Sequence, residues 1–132
     1  MTESELHVLT GNIIGIAIDV HKELGPGLLE KIYQQCLKIA LDEAGYRVQT
    51  ELSFPVVFRG AVISEEGYRI DMLVNNSVII EIKSISELLP VHSKQLGTYL
   101  RLANMPCGLL INFNVSILKQ GIKRVKNGYL PL

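Results

Sequence analysis

A chain of 132 residues, 48% hydrophobic and 20% charged, has enough apolar side chain to bury a core, and one domain spanning residues 1–132 is expected. Its 13 basic and 13 acidic residues cancel, which excludes a broad electrostatic pull toward nucleic acid or an anionic membrane and leaves any such affinity to local patches. Cys36 and Cys107 are too few and too far apart for a disulfide framework or a zinc site, so they read as small buried hydrophobes in a reducing compartment. The opening "MTESELHVLTG" is polar and acidic where a signal peptide would be basic, and "IIGIAI" is too short to cross a bilayer before Asp19, His21 and Lys22 interrupt it. A cytoplasmic protein without a membrane segment is expected.

In chain order, residues from about Glu5 to Leu24 predict a helix with Ile14, Ala17, Ile18, His21 and Leu24 on one face, stopped by "GPG" at 25–27. A second helix is predicted from about Leu28 to Ala44, with Tyr33, Leu37, Ala40, Leu41 and Ala44 as its apolar stripe and Gly45 as its cap. Three strand-like segments follow: "YRVQTELSFPVVFRG", "GYRIDMLV" and "SVIIEIKS". A third helix from about Val91 to Ala103 ends at "NMP", before the continuous apolar strand "CGLLINF". The stretch from Ser116 to Tyr129 reads as one or two short strands, with "QG" as a turn and Lys119, Lys123, Arg124 and Lys126 as a solvated basic face rather than a phosphate contact. This order favours an α/β protein with a mixed central β-sheet flanked by α-helices.

Several polar residues interrupt that pattern. Strict alternation puts Tyr68, Ile70, Met72 and Val74 on one face and Arg69, Asp71 and Leu73 on the other. A loop of Asn75 to Ser77 would pair Val74 with Val78 and hence Asp71 with Glu81, keeping one face apolar; Asn accepts the left-handed backbone such a loop requires. Two carboxylates then oppose each other, with Lys83 two residues along on their face. Like charges across a sheet are destabilising, and either a divalent cation such as Mg²⁺ or a salt-bridge cluster with Lys83 and Arg69 would compensate them. Extending the stripe of the second helix backward lands on Glu30 at a core-facing position, although an acid in a first helical turn is favourable in its own right. The stripe of the third helix, Leu96, Tyr99, Leu102 and Ala103, takes in Gln95, with His92 one turn earlier.

These residues carry a resemblance. "GLLEKIY" at 27–33 matches the GxxExxY signature, and "RID" followed by "EIK" and "QLGTYL" resembles the pattern of the PD-(D/E)xK nuclease superfamily. The likeness to GxxExxY proteins runs from "VHKELGPG" through "GLLINF" and implies a restriction-endonuclease-like core. It implies that Asp71 and Glu81 are metal-binding acids, Glu30 the acid of the helix motif, Lys83 the catalytic lysine and Gln95 the glutamine of the following helix. Gly27 and Tyr33 look like the signature glycine and tyrosine, with positioning roles. His21 and His92 fall outside this set and read as structural. Ile70 stands where the superfamily's proline precedes the aspartate, a replacement common among relatives.

The implied activity is Mg²⁺-dependent phosphodiester hydrolysis of DNA ahead of RNA, with Mn²⁺ as a substitute. Asp71, Glu81 and the backbone carbonyl of Ile82 would hold the metal, and Glu30 would contribute through water or a second ion. Two rivals remain open at this level: a nuclease-like module that binds nucleic acid or a protein partner without turnover, and a structural protein stabilised by metal. A domain this small carries no separate sequence-reading domain, so structure-guided recognition or a homodimer is expected, with Phe54, Val56 and Phe58 as candidates for an interface or a core.

Overall fold

In the computed structural model, which describes residues 1–128, the elements run α1 (Glu3–Leu24), α2 (Glu30–Glu43), β1 (Val48–Phe58), β2 (Ala61–Val74), β3 (Val78–Lys83), α3 (Pro90–Ala103), β4 (Cys107–Asn112), a 3₁₀ turn (Leu118–Gly121) and β5 (Ile122–Lys126). The five strands lie in sequence order in one sheet; β3 and β4 are parallel, with α3 as their crossover, and the other neighbours are antiparallel. The sheet is therefore mixed and covered by helices on both faces, as the element order implied. Tyr129, the expected end of the tail, lies outside the described residues.

Local chemistry explains the boundaries. Thr2 and Glu5 form a reciprocal capping box that starts α1 two residues earlier than the apolar period suggests, each side chain accepting from the other's main-chain N–H at 3.1 Å. Gly25 (φ 72°) and Gly27 (φ 99°) carry the chain through left-handed conformations that delay α2 until Glu30. Asn75 (φ 49°) and Asn76 (φ 52°) make the β2–β3 loop, and Val74 pairs with Val78 as the loop length required.

One core layer places Leu9, Ile13, Ala17, Tyr33, Leu37 and Leu41 of α1 and α2 against Met72, Val74, Ile80, Ile82, Leu109 and Ile111 of the sheet. The other packs Leu96 and Leu100 of α3 against Ile70, Leu73, Ile79 and Leu110, with Leu52, Phe54 and Tyr68 at its edge. At about 25 cal/mol per Å² of apolar area removed from water, these layers are the main favourable contribution to folding. Two stripes differ from those expected: Val20 and Leu9 are buried in α1 where Ile14 and Ile18 are only half-buried, and Leu100 takes the buried place in α3 while Leu102 is 49% exposed. A helix lying across a twisted sheet buries the residues nearest the crossing, a geometry that periodicity alone does not contain. Phe54 belongs to the core, whereas Phe58 at the tip of the β1–β2 hairpin is exposed.

The largest departure from strict alternation is at Ile70. It shares a face with Leu73, not with Met72 and Val74, so β2 changes faces at Asp71.

Candidate active site

That change of face ends the β2–β3 ladder. Regular pairing runs Val74↔Val78, Leu73↔Ile79 and Met72↔Ile80 and stops there, one step short of the expected Asp71–Glu81 pair. Beyond it, side chains take over the main-chain bonds: the Asp71 N–H donates to Glu81 Oε1 at 3.2 Å, and the Ile82 N–H donates to Asp71 Oδ2 at 2.8 Å. The two carboxylates are therefore juxtaposed as the register implied, but on splayed strands. Lys83 follows Glu81 by two residues on the alternating β3, and its charge acts on both carboxyls. No cationic side chain among the described residues lies within 4.0 Å of either acid, so the alternative salt-bridge cluster with Lys83 and Arg69 is not formed.

Glu30 is exposed, contrary to the core-facing position that the stripe assigned it. It is the first residue of α2, and the tight approach through Gly25 and Gly27 directs it sideways, where its Oε2 accepts from the Ser84 N–H at 3.1 Å at the end of β3. Ser84 Oγ donates to the Leu28 carbonyl at 2.6 Å, so one residue ties the start of α2 to the strand carrying Glu81 and Lys83. Tyr33, fully buried, stacks on Phe113 at 4.4 Å, donates to the Gly25 carbonyl and accepts from the Leu28 N–H at 3.1 Å. Tyr33 thus holds the turn that leads into Glu30. Asn112 completes the frame: buried, and paired in register with Lys83, it accepts from the Ile85 N–H (3.1 Å) and donates to the Ile85 carbonyl (3.0 Å), fixing the chain after β3.

Burial sets the electrostatics. Glu81 is 8% exposed, and loss of water, then the neighbouring Asp71 charge, push its carboxyl up to about 8, against partial relief from the Asp71 N–H and Lys83. Asp71 is also raised, chiefly by burial, with the Ile82 N–H opposing and the Glu51 charge reinforcing the shift. The Asp71 charge raises Glu81, so the two do not titrate independently. Such a pair, lacking a close organic cation, suits a hard divalent cation such as Mg²⁺. No three His, Cys, Asp or Glu side chains among the described residues converge into a closed metal site. The two carboxylates fit instead an open position that water and substrate oxygens would complete.

Three residues around the acids were not identified by sequence reasoning. Tyr99 of α3 has its hydroxyl pKa raised by burial and then by the charges of Glu81 and Asp71. Its ring stacks on Tyr68 at 4.6 Å, and Tyr68 on Phe54 at 5.4 Å. Ser84 and Glu51 are the others; only Tyr99 carried a signal, its place inside "QLGTYL". Gln95, one turn before Tyr99, is exposed and makes no side-chain hydrogen bond to the acids or to Lys83. His21 and His92 make structural contacts: His21 Nε2 bonds the Val115 carbonyl at 2.8 Å, and His92 Nδ1 accepts the Leu89 N–H at 2.9 Å at the start of α3. In the tail, Arg124 meets His7 and Lys126 meets Glu3, on the flank of α1.

The family model of the PD-(D/E)XK nuclease superfamily matches residues 7–125. The chain belongs to this superfamily. No curated protein and no solved structure matches it. The match spans Glu30, Asp71, Glu81, Lys83 and Gln95, and the restriction-endonuclease-like α/β core is the one the strands and helices form. Members of the PD-(D/E)XK superfamily commonly use divalent metals and act on nucleic acid, and the open carboxylate pair is chemically consistent with that. No helix among the described residues is long and apolar enough to cross a membrane.

Proposed function

We propose that the protein is a Mg²⁺-dependent nuclease of the GxxExxY kind, hydrolysing phosphodiester bonds in DNA in preference to RNA and accepting Mn²⁺ as a substitute. The observation that carries this reading is the Asp71–Glu81 pair, in which each acid engages main-chain N–H at the point where the ladder stops, and Glu81 lies buried without a close cation. When bound, the metal polarises the scissile phosphate and lowers the pKa of a water. Asp71, Glu81 and the main-chain carbonyl of Ile82 would hold it, with Glu30 acting through water from the α2 side. The Lys83 ammonium, with no ion pair of its own among the described residues, stabilises the charge that grows on the phosphoryl oxygens. Gln95, exposed on α3, would hydrogen-bond the attacking water or the lysine. Gly27 and Tyr33 hold Glu30 in place and touch no reacting atom.

The test is cleavage of single- and double-stranded DNA and RNA with Mg²⁺ or Mn²⁺ by the native chain, Asp71→Ala and Lys83→Ala. Asp71→Ala is expected to abolish turnover, and Lys83→Ala to reduce it by roughly 10²- to 10³-fold, as for other losses of a charge stabiliser. Native activity in either purified, folded variant refutes the assigned role. Salt-dependent binding without turnover by the native chain would support the non-catalytic module instead.

A further inference from the structure

The acids owe their placement to a feature on the neighbouring strand. The β1–β2 ladder pairs Val48↔Val74, Gln49↔Leu73 and Thr50↔Met72, then resumes in the same register at Leu52↔Ile70. Glu51 and Asp71 are the pair left out. Both strands change faces there. Val48 and Val74 pack toward α1 and α2, whereas Leu52, Phe54 and Ile70 pack toward α3. Glu51 has φ 53°, and the other non-glycine residues with positive φ among those described are at Arg59 in the hairpin turn, Asn75 and Asn76 in a loop and Asn104 at a helix end. Glu51 alone of these adopts that conformation within a ladder, where an extended backbone is the rule.

Its side chain reaches the other half of the site. Glu51 Oε1 accepts from Gln34 Nε2 at 3.0 Å and Lys31 Nζ at 3.1 Å, and its Oε2 lies 3.7 Å from the Arg69 guanidinium. The Gln34 hydrogen bond, followed by that of Lys31, holds the carboxyl below the usual range, so it stays ionised. Gln34 is buried, and Lys31 is the residue next to Glu30. One residue therefore joins the kink that frees Asp71 to the helical turn that presents Glu30.

We propose that Glu51 is a positioning residue of the acid site: its left-handed backbone drives the paired change of faces that takes Asp71 out of the ladder, and its carboxylate locks the first turn of α2, with Glu30, onto the same kink. The functional meaning of this assignment rests on the acid site being a metal site. A regular strand at this position would return Asp71 to the ladder and remove the carboxylate from the Ile82 N–H.

Two substitutions separate backbone from side chain. Glu51→Gly keeps the left-handed conformation open and deletes the carboxylate, whereas a β-branched Glu51→Val disfavours that conformation as well. The first readout is the ¹H–¹⁵N spectrum, in which the amides of Asp71 and Ile82 report their bonds to carboxylate. The second is calorimetric titration with Mg²⁺ alone. In E51V both amides are expected to move and Mg²⁺ affinity to fall roughly tenfold or more, the usual scale for losing an outer partner of a metal ligand. E51G should keep both amides near their native positions and bind Mg²⁺ more tightly than E51V. Native amide positions and native affinity in folded E51V overturn the proposal, since a residue important only for stability would shift the melting temperature and neither readout. Should E51V fail to fold, E51A against E51G makes the same comparison. If the native chain binds no Mg²⁺, the metal-site reading fails, and the amide comparison alone decides whether Glu51 positions the pair.

Discussion

Replacing Glu81 by glutamine should stabilise the metal-free protein, and the gain should depend on pH. The carboxyl titrates near 8 when folded, against an ordinary value of 4.5. Between those limits the folded state keeps a proton that the unfolded chain has released. More protons bound to the folded state means that unfolding becomes easier as pH rises. The contribution of Glu81 is thus fully present below about pH 4.5, declines through the window and is gone once pH has passed about 8. At 1.36 kcal/mol per pH unit, the native chain at pH 7 has lost about 3 kcal/mol relative to a variant that cannot ionise there. Asp71, also raised, adds to the trend in the same direction. In Glu81→Gln the amide oxygen can still accept the Asp71 N–H, so little else changes at low pH. Urea or thermal unfolding of both chains from pH 4.5 to 8.5 with a chelator present should show curves that meet at the acid end. They should separate toward the alkaline end by about 3 kcal/mol at pH 7, on the order of 10 °C in Tm for a chain of this size. A difference that is constant across the window, or that favours the native chain as pH rises, refutes the assignment of a buried, uncompensated acid. Saturating Mg²⁺ should then stabilise the native chain at pH 8 and leave Glu81→Gln nearly unmoved.

Two further substitutions probe the frame around the acids. Tyr33→Phe keeps the stack on Phe113 but leaves the Leu28 N–H and the Gly25 carbonyl without the hydroxyl, and should cost about 1–3 kcal/mol in chemical denaturation. It should also lower turnover through Glu30; unchanged stability and turnover would show that the tyrosine serves only as core. Gly67→Ala would place its Cβ 1.7 Å from the Phe54 carbonyl oxygen at a backbone φ of +58°, a main-chain clash that no rotamer can relieve. It should destabilise by more than about 3 kcal/mol, and a cooperative melt within 2 °C or so of native would contradict the tight β1–β2 approach.

Much of the site was legible because it is written in residues that violate a local pattern. Asp71 and Glu81 stand where aliphatic residues would pack better, and the three-residue Asn75–Ser77 loop fixes their register from a simple parity requirement. The fold followed for the same reason: apolar runs, glycine stops and loop lengths are local quantities. What the sequence does not carry depends on the third dimension. Alternation puts Ile70 on the wrong face because it assumes an unbroken strand, and nothing in "TELSF" marks Glu51 as left-handed. Extending the stripe back from Tyr33 points Glu30 inward, yet Glu30 is the first residue of α2, where the chain arrives from the turn at Gly25 and Gly27 and the carboxylate turns to the Ser84 N–H. Ser84 was invisible because serine after a strand is what any loop would contain.

The kink also brings the start of α2 and the β2–β3 hairpin, far apart in sequence, to one place in the fold. A continuous ladder would satisfy the Asp71 and Ile82 amides with main-chain carbonyls, and the carboxylates would face each other with only repulsion between them. Breaking the ladder at Glu51 and Asp71 leaves those amides for carboxylates to accept, which offsets part of the cost of burying like charges. The compensation is incomplete, since Glu81 still holds its proton up to about pH 8. A cation entering the pair must therefore displace that proton. On the proposed metal-site reading, calorimetric titration with Mg²⁺ should give an affinity that rises with pH up to about 8 and flattens above it, whereas a site built from freely ionised surface acids would show no such dependence at neutral pH.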